Sequence, residues 1–145
     1  MMAQAPHPAL VLDTNVVLDM WLFGDAAAKP LIDGVLQGHW RWLATPPMRE
    51  ELARVLSYPQ IVKSLAHHQM SPQTVLDPFD THAEMVIVAP KARVTCKDPD
   101  DQKFVDLAVA YRATLLSKDR AVLCMAKRLL ALGVIAVAAI NGIAK

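Results

Sequence analysis

Five short runs rich in apolar residues alternate along the chain with longer stretches of helical periodicity. The first run, Ala9–Leu12, has no polar residues in alternate positions. Such a run suits a strand buried on both faces of a parallel sheet, because helices cover both sides of sheets of this kind. The other predicted strands are residues 39–45, 85–88, 114–117 and 134–140.

The predicted helices lie between these strands, where crossover connections need them. They begin near Val16 and at Pro46, and they cover residues 26–37, 59–69, 71–82, 98–112 and 120–132, with an interruption expected at Pro78. Strands and helices in this order predict an α/β fold in which right-handed crossovers join parallel strands. We therefore expect a three-layer sandwich with a central parallel sheet of about five strands.

Chain length and composition favour one domain over residues 1–145. The 145 residues are 54% hydrophobic, and a chain of this size buries roughly 70% of the surface that its unfolded form exposes. The formal net charge is +1, from 15 Lys+Arg and 14 Asp+Glu. A nucleic-acid partner would therefore be bound by local basic patches rather than by the overall charge.

Cysteine content and the start of the chain predict a cytoplasmic protein. The two cysteines are Cys96 and Cys124, and the first eight residues lack the basic start and long apolar region of a secretion signal. We expect both thiols to be reduced. The longest uninterrupted apolar run, residues 134–140, has seven residues. A membrane span needs about 20, so we expect no membrane association.

Three carboxylates occupy four consecutive positions, at Asp98, Asp100 and Asp101, immediately before an apolar helical stretch. One interpretation is a helix start, with Asp98 as N-cap, Pro99 at the first helical position and two acidic residues near the positive end of the macrodipole. One capping aspartate is enough for that purpose. The other interpretation is a site for Mg2+ or Mn2+, which prefer several oxygen ligands. This stretch by itself leaves both interpretations open.

Three further acidic residues fall where the predicted sheet would bring them to one edge. Asp13 follows the first strand and Asp119 follows the fourth, and open α/β sheets bind ligands beyond the carboxyl ends of their strands. Asp13 has an alternative role as the cap of the helix that begins near Val16. Glu51 lies roughly 85° from the centre of the apolar stripe of its helix, so it can reach a cleft at the edge of the core. Crowded carboxylates repel one another, and a divalent cation relieves this repulsion.

Basic and aromatic residues give weaker indications of a nucleic-acid partner. The densest basic group, which we expect to contact phosphates, consists of Lys118, Arg120, Lys127 and Arg128. Trp40 and Trp42 share one face of the second predicted strand, with Arg41 on the other face. Aromatic residues beside a cation could stack on bases, but packing against a covering helix is the favoured role.

Motifs of several other enzyme classes are absent from the sequence. It contains no G-x-G-x-x-G, no Walker A lysine loop, no G-x-S-x-G and no C-x-x-C. Asp13-Thr14-Asn15 resembles the start of an aspartyl-phosphate hydrolase motif. Asn15, however, stands where those enzymes use a second aspartate, which disfavours that class.

Four segments spread over almost the whole chain resemble the PIN-domain family of metal-dependent ribonucleases, specifically its toxins of toxin-antitoxin pairs. The matching segments are Leu12-Asp13-Thr14-Asn15-Val16, Glu51-Leu52-Ala53-Arg54-Val55-Leu56, Asp98-Pro99-Asp100-Asp101-Gln102-Lys103-Phe104 and Leu116-Ser117-Lys118-Asp119. Each motif alone is weak. Their order and spacing make the combination fairly specific.

The resemblance implies a set of site residues. The family's acidic residues fall on Asp13, Glu51, Asp101 and Asp119, and its polar supports fall on Asn15 and Ser117. By this resemblance Asp13, Asp101 and Asp119 bind one or two Mg2+ or Mn2+ ions, directly or through water. Glu51 orients water or a second ion. The choice of Asp101 over Asp100 rests on the family, because helical periodicity does not distinguish them.

The resemblance also implies a substrate and partners. The expected activity is cleavage of RNA phosphodiester bonds, with ions that activate water and stabilise the developing charge. The family further implies frequent homodimers and often a small antitoxin protein that blocks the cleft. An alternative of another class is a nuclease-like module that binds RNA or a protein partner without cutting.

Overall fold

The computed structural model describes residues 8–140, which form a central sheet of five parallel strands. The strands are β1 (Ala9–Leu12), β2 (Arg41–Ala44), β3 (Glu84–Met85), β4 (Thr114–Leu116) and β5 (Ile135–Val137). Their order across the sheet is β3-β2-β1-β4-β5, and every neighbouring pair is parallel. This confirms the predicted α/β fold. Asn141 and Gly142, which the sequence suggests as the end of the fifth strand, lie outside the described residues.

Helices cover both faces of this sheet. Within residues 8–140 they are α1 (Thr14–Trp21), α2 (Lys29–Leu36), α3 (Pro46–Val55), α4 (Pro59–His67), α5 (Pro72–His82), α6 (Gln102–Tyr111), α7 (Arg120–Leu123) and α8 (Ala126–Ala131). Right-handed crossovers put α1 to α5 on one face and α6 to α8 on the other, because the chain reverses its direction across the sheet between β3 and β4. Accordingly α1 contacts α3 and α5, whereas α6 contacts β1 and β4.

The two tryptophans near β2 pack against helices, the role that the sequence favoured over stacking on bases. Trp42 is 2% exposed, and its ring meets that of Phe79 edge-on at 5.3 Å between centroids. The ring of Trp40 covers Gly34 of α2 so closely that a Cβ atom there would lie 2.8 Å from its Cδ1. On the opposite face Arg41 makes an ion pair with Glu84. These contacts give both tryptophans a packing role.

The third strand differs from the prediction of a buried strand over residues 85–88. Only Glu84 and Met85 form it, at the edge of the sheet, and both are exposed. Val86 adds one hydrogen bond to the Ala44 carbonyl, after which the chain leaves the sheet and Ile87 is 84% exposed. The prediction of burial is wrong because an apolar run does not reveal whether its strand lies at the centre or the edge.

Several helix predictions also need correction. Helix α5 continues through Pro78, because its buried side chains Val75, Leu76 and Phe79 keep it on the core despite one lost backbone hydrogen bond. The predicted helix over residues 120–132 is divided into α7 and α8. The sequence predicts that Thr45 caps α3, but its side chain makes no capping hydrogen bond.

Residues 86–98 connect β3 to the 3-10 turn Pro99–Asp101 without regular secondary structure, and two side chains of α6 hold them. Gln102 accepts a hydrogen bond from the Cys96 amide at 2.6 Å and donates one to the Val94 carbonyl at 3.0 Å. Asp106 accepts from the Ala92 amide at 2.8 Å and from Gln102 at 2.7 Å. Asp106 is therefore a structural acceptor, whereas its place on the polar side of α6 suggested a solvated residue.

No helix among the described residues has the length and apolar character needed to cross a bilayer.

We predict that Asp106→Ala destabilises the fold, because the buried Ala92 amide loses its acceptor. Such a loss costs about 1–3 kcal/mol. Chemical denaturation would measure it, with Glu50→Ala as the control, since Glu50 is an exposed acid with no hydrogen bond among the described residues. Equal stability of the two variants would contradict this role for Asp106.

Candidate active site

The acidic residues gather at the carboxyl ends of β1 and β4. Between these two neighbouring strands, the order in which the chain adds strands to the sheet reverses. Asp13 follows β1 directly, and Asp119 lies three residues beyond the end of β4. Asp101 ends the 3-10 turn that leads into α6, and α6 packs on both of these strands. Ligands of open α/β sheets bind in the crevice at such a reversal. The topology therefore brings three distant segments to one crevice.

The buried hydroxyl of Ser117 connects two of these segments. Its Oγ atom donates to Asp13 Oδ2 at 2.7 Å and accepts from the Asp119 amide at 3.1 Å. Asp13 makes no side-chain cap on α1, although it stands at the N-cap position. Ser117 therefore orients the Asp13 carboxylate, and the first-turn amides of Thr14 and Asn15 lie close enough to lower its pKa.

Three carboxylates form the tightest acidic group. One oxygen from each of Asp98, Asp101 and Asp119 lies within 4.8 Å of the others. Asp101 is 6% exposed, and its Oδ2 atom has no hydrogen-bond partner within residues 8–140. Asp98 and Asp119 also cap their turns, through the amides of Asp100 and Ala121. Capping and a cation site are therefore compatible at Asp98.

This group differs from the predicted metal ligands at one position. Asp98 stands in it where Asp13 was expected, and Asp13 lies beside it without joining it. Sequence reasoning treated Asp98 mainly as a helix cap. The density of acids between residues 98 and 101 was a signal for it, but only the path of the preceding loop turns Asp98 toward Asp119.

Burial and repulsion shift the titration of these acids. Burial, a hydrogen bond shared with Asp119 and the charges of Asp13, Asp119 and Asp98 together raise the pKa of Asp101 to about 8. Burial also raises the pKa of Asp13, although the hydrogen bond from Ser117 opposes this and the charge of Glu51 adds to it. Each shift reflects the cost of placing negative charge where water is excluded and other carboxylates are near.

Glu51 reaches the crevice from α3, as its helical position predicts. Both of its carboxylate oxygens are occupied: Thr14 Oγ1 donates to Oε2, and Lys103 Nζ donates to Oε1. Lys103 also donates to the Asp100 carbonyl at 2.5 Å. Sequence reasoning assigned no role to Lys103. Its position two residues after Asp101, at the start of α6, is the sequence feature that could have placed it at the site.

The other predicted site residues lie around this centre. Asn15 is exposed, and among the described residues its side chain makes no hydrogen bond. Lys118 Nζ lies 2.5 Å from Asp19 Oδ2, so a carboxylate already pairs with it. Lys127 and Arg128 are exposed on α8, which leads back from the carboxyl edge of the sheet toward β5.

Two neighbours of the acidic group were not singled out from the sequence. Lys97 is exposed and lines a surface hollow together with the exposed Arg120 and Cys124. Cys96 is buried, and its thiol donates to the Ala121 carbonyl at 3.4 Å. Burial, with help from the charges of nearby aspartates, raises the pKa of the Cys96 thiol. The thiol is therefore a packed neutral neighbour of the acids.

The donor set fits a hard divalent cation. All three grouped side chains offer carboxylate oxygens, which Mg2+ and Mn2+ prefer. Asp101 Oδ2 is buried without a donor, and a buried acceptor without a partner is costly unless something satisfies it. A cation held by Asp98, Asp101 and Asp119 would satisfy that oxygen and offset the repulsion.

Comparisons with known proteins agree with this fold. Residues 9–121 match the family model described as PIN domain. The chain belongs to the PIN domain family. Among solved structures it is similar to the crystal structure of VapBC2 from Rickettsia felis bound to a DNA fragment from their promoter. The TM-score is 0.61 at 15% identity over 89% of this chain and 97% of that chain. No curated protein sequence matches this PIN domain significantly.

We predict that this PIN domain, without metal, loses stability as the pH rises from about 5 to about 8. In the unfolded chain Asp101 titrates near pH 4, as aspartate ordinarily does, and in the folded chain its pKa is about 8. Between these values the folded state binds more protons, so the free energy of unfolding falls with rising pH.

Melting temperatures in EDTA at several pH values would measure this dependence. Asp101→Asn cannot ionise and should flatten the slope. A wild-type melting temperature that does not fall over this range, or an equal slope in the variant, would contradict the buried acid.

Proposed function

We propose that this PIN domain is a Mg2+- or Mn2+-dependent endoribonuclease. The observation on which this rests is the buried Asp101 oxygen without a donor, beside Asp98 and Asp119 in a crevice at the carboxyl edge of the sheet. Carboxylates crowded in this way suit a cation far better than an uncharged ligand. Membership of the PIN domain family supports nuclease chemistry.

The position of each site residue suggests its role. Asp98, Asp101 and Asp119 would hold the ion, and Asp13 would act from the adjacent position, where Ser117 orients it. When bound, the ion would polarise water and the phosphodiester. In the hydrolysis, an oxygen of water forms a bond to phosphorus, and the bond from phosphorus to the leaving ribose oxygen breaks. The water proton passes to a carboxylate or to solvent, and the leaving ribose oxygen takes up a proton from solvent.

We predict that Asp101→Asn abolishes RNA cleavage and most of the stabilisation by Mn2+. A ligand that binds only the folded state stabilises it by about 2.7 kcal/mol at a hundred times its dissociation constant. The variant should be as stable as wild type or more so in EDTA, because one repelling charge is removed. Cleavage of a generic RNA and melting curves with Mn2+ or EDTA would test this.

Asp100→Asn is the matched control, because Asp100 is the exposed neighbour in the same turn. It should retain both cleavage and stabilisation by Mn2+. An Asp101→Asn protein that still cuts RNA would overturn the site assignment. A wild type that binds RNA and does not cut it with Mn2+ present would favour the non-catalytic binding module.

The RNA backbone would cross the exposed cations beside the acidic crevice. Lys97 and Arg120 line the hollow next to it, and Lys127 and Arg128 continue along α8. Lys118 would contribute less, because Asp19 already neutralises it. This path supplies the local positive charge that a chain of formal net charge +1 needs for binding phosphates.

We predict that Lys97→Ala with Arg120→Ala, or Lys127→Ala with Arg128→Ala, weakens the salt dependence of RNA binding. Each lost phosphate contact reduces the slope of log K against log salt by about 0.7 for a single strand, so each double variant should lose about 1.4. The control is Lys29→Ala with Lys63→Ala, which removes the same charge from exposed positions in α2 and α4. Equal slopes in all variants would place the RNA elsewhere.

The biological setting we propose is a cytoplasmic toxin controlled by a small antitoxin protein. The four motifs that resemble toxin ribonucleases support this setting, and the similarity of fold to VapBC2 is in keeping with it. We also propose a homodimer, as the resemblance implies. Induced expression of wild type and of Asp101→Asn in a bacterial host, followed by a growth assay, would test the toxin role.

A further inference from the structure

An ammonium group lies beside Glu51, one of the acids of the candidate site. Lys103 Nζ donates to Glu51 Oε1 and to the Asp100 carbonyl, and it lies 4.9 Å from the centre of the Phe104 ring. Three kinds of electron-rich group, a carboxylate, a carbonyl and an aromatic face, thus surround one cation. This is an environment that favours positive charge.

The ion pair between Lys103 and Glu51 is not an ordinary surface pair. Its side chains are 23% and 15% exposed, whereas each of the other four ion pairs among residues 8–140 has at least one side chain 44% or more exposed. Ion pairs on the surface contribute little to the stability of a fold, because water solvates both charges when the pair separates. A sheltered pair persists, because parting it would leave a charge without a partner.

We propose that the Lys103 ammonium takes the place of a second metal ion, so that the site binds one divalent cation. This inference rests on the proposed function. Asp98, Asp101 and Asp119 form a complete group for one ion, and Glu51 stands outside that group with both oxygens occupied. A second ion at Glu51 would have to displace the ammonium, and like charges at such a distance repel strongly where water is scarce.

The test is to count bound Mn2+ by equilibrium dialysis and by electron paramagnetic resonance. Wild type should bind one ion per chain. Lys103→Met keeps most of the length of the side chain and removes its charge, so Glu51 loses its cationic partner and the chain should bind two. Lys103→Arg keeps the charge and should bind one. Lys103→Met combined with Glu51→Gln removes the second site and should also bind one.

The outcomes separate this inference from the proposed function. One ion in wild type and one in Lys103→Met would overturn the role of Lys103 and leave a metal-dependent nuclease intact. Two ions in wild type would overturn it as well. No bound Mn2+ in wild type would remove the proposed function and this inference with it. Lys103→Gln serves as a second uncharged variant, and melting in EDTA shows that each protein is folded before ions are counted.

Discussion

Repulsion between buried carboxylates is the constraint on which the rest of this structure depends. Asp13 and Asp101 are 5% and 6% exposed, and both face further acids across the crevice. The Ser117 hydroxyl and the Lys103 ammonium each offset part of this charge. Burial above all, and then the nearby carboxylates, raise the pKa of Asp101 to about 8. A proton and a divalent cation would therefore compete for the same oxygens, and metal binding would release a proton.

The topology of the sheet makes this concentration of charge possible. β1 and β4 are neighbours, although about a hundred residues separate them in sequence. The Asp13 amide donates to the Leu116 carbonyl at 3.0 Å, which continues the ladder just past the end of β1. Parallel pairing thus sets the position of Asp13 relative to the segment that presents Asp119. The apolar strands form a rigid scaffold, and the polar residues that follow them form the candidate site.

Local patterns in the sequence predicted the parts of the site that depend on one segment at a time. The non-alternating run Ala9–Leu12 indicated a central strand with Asp13 at its end. The helical periodicity around Glu51 was enough to predict that its side chain lies at the edge of the core. Contacts between distant segments were not predictable in this way. The pairing of Lys103 with Glu51 joins α6 to α3, and a sequence gives no distance between those two helices.

The same limit explains the errors at β3 and Asp106. Apolar residues after Glu84 predicted burial, but among the described strands theirs pairs with β2 alone, and the chain leaves the sheet after two residues. Asp106 was expected in solvent because it lies on the polar side of α6. The acceptor that it supplies to Ala92 exists only because a long loop returns over that helix.

That loop distinguishes Asp98 from the two site acids that follow strands. Asp13 and Asp119 follow strands, so backbone ladders and Ser117 hold them. Asp98 instead ends residues 86–98, which side chains of Gln102 and Asp106 tie to α6. A few side-chain hydrogen bonds open more readily than a ladder in the core. The crevice therefore has a rigid half supplied by the sheet and a more adaptable half supplied by this loop. A cation that bridges Asp98 to Asp119 would fasten the two halves together.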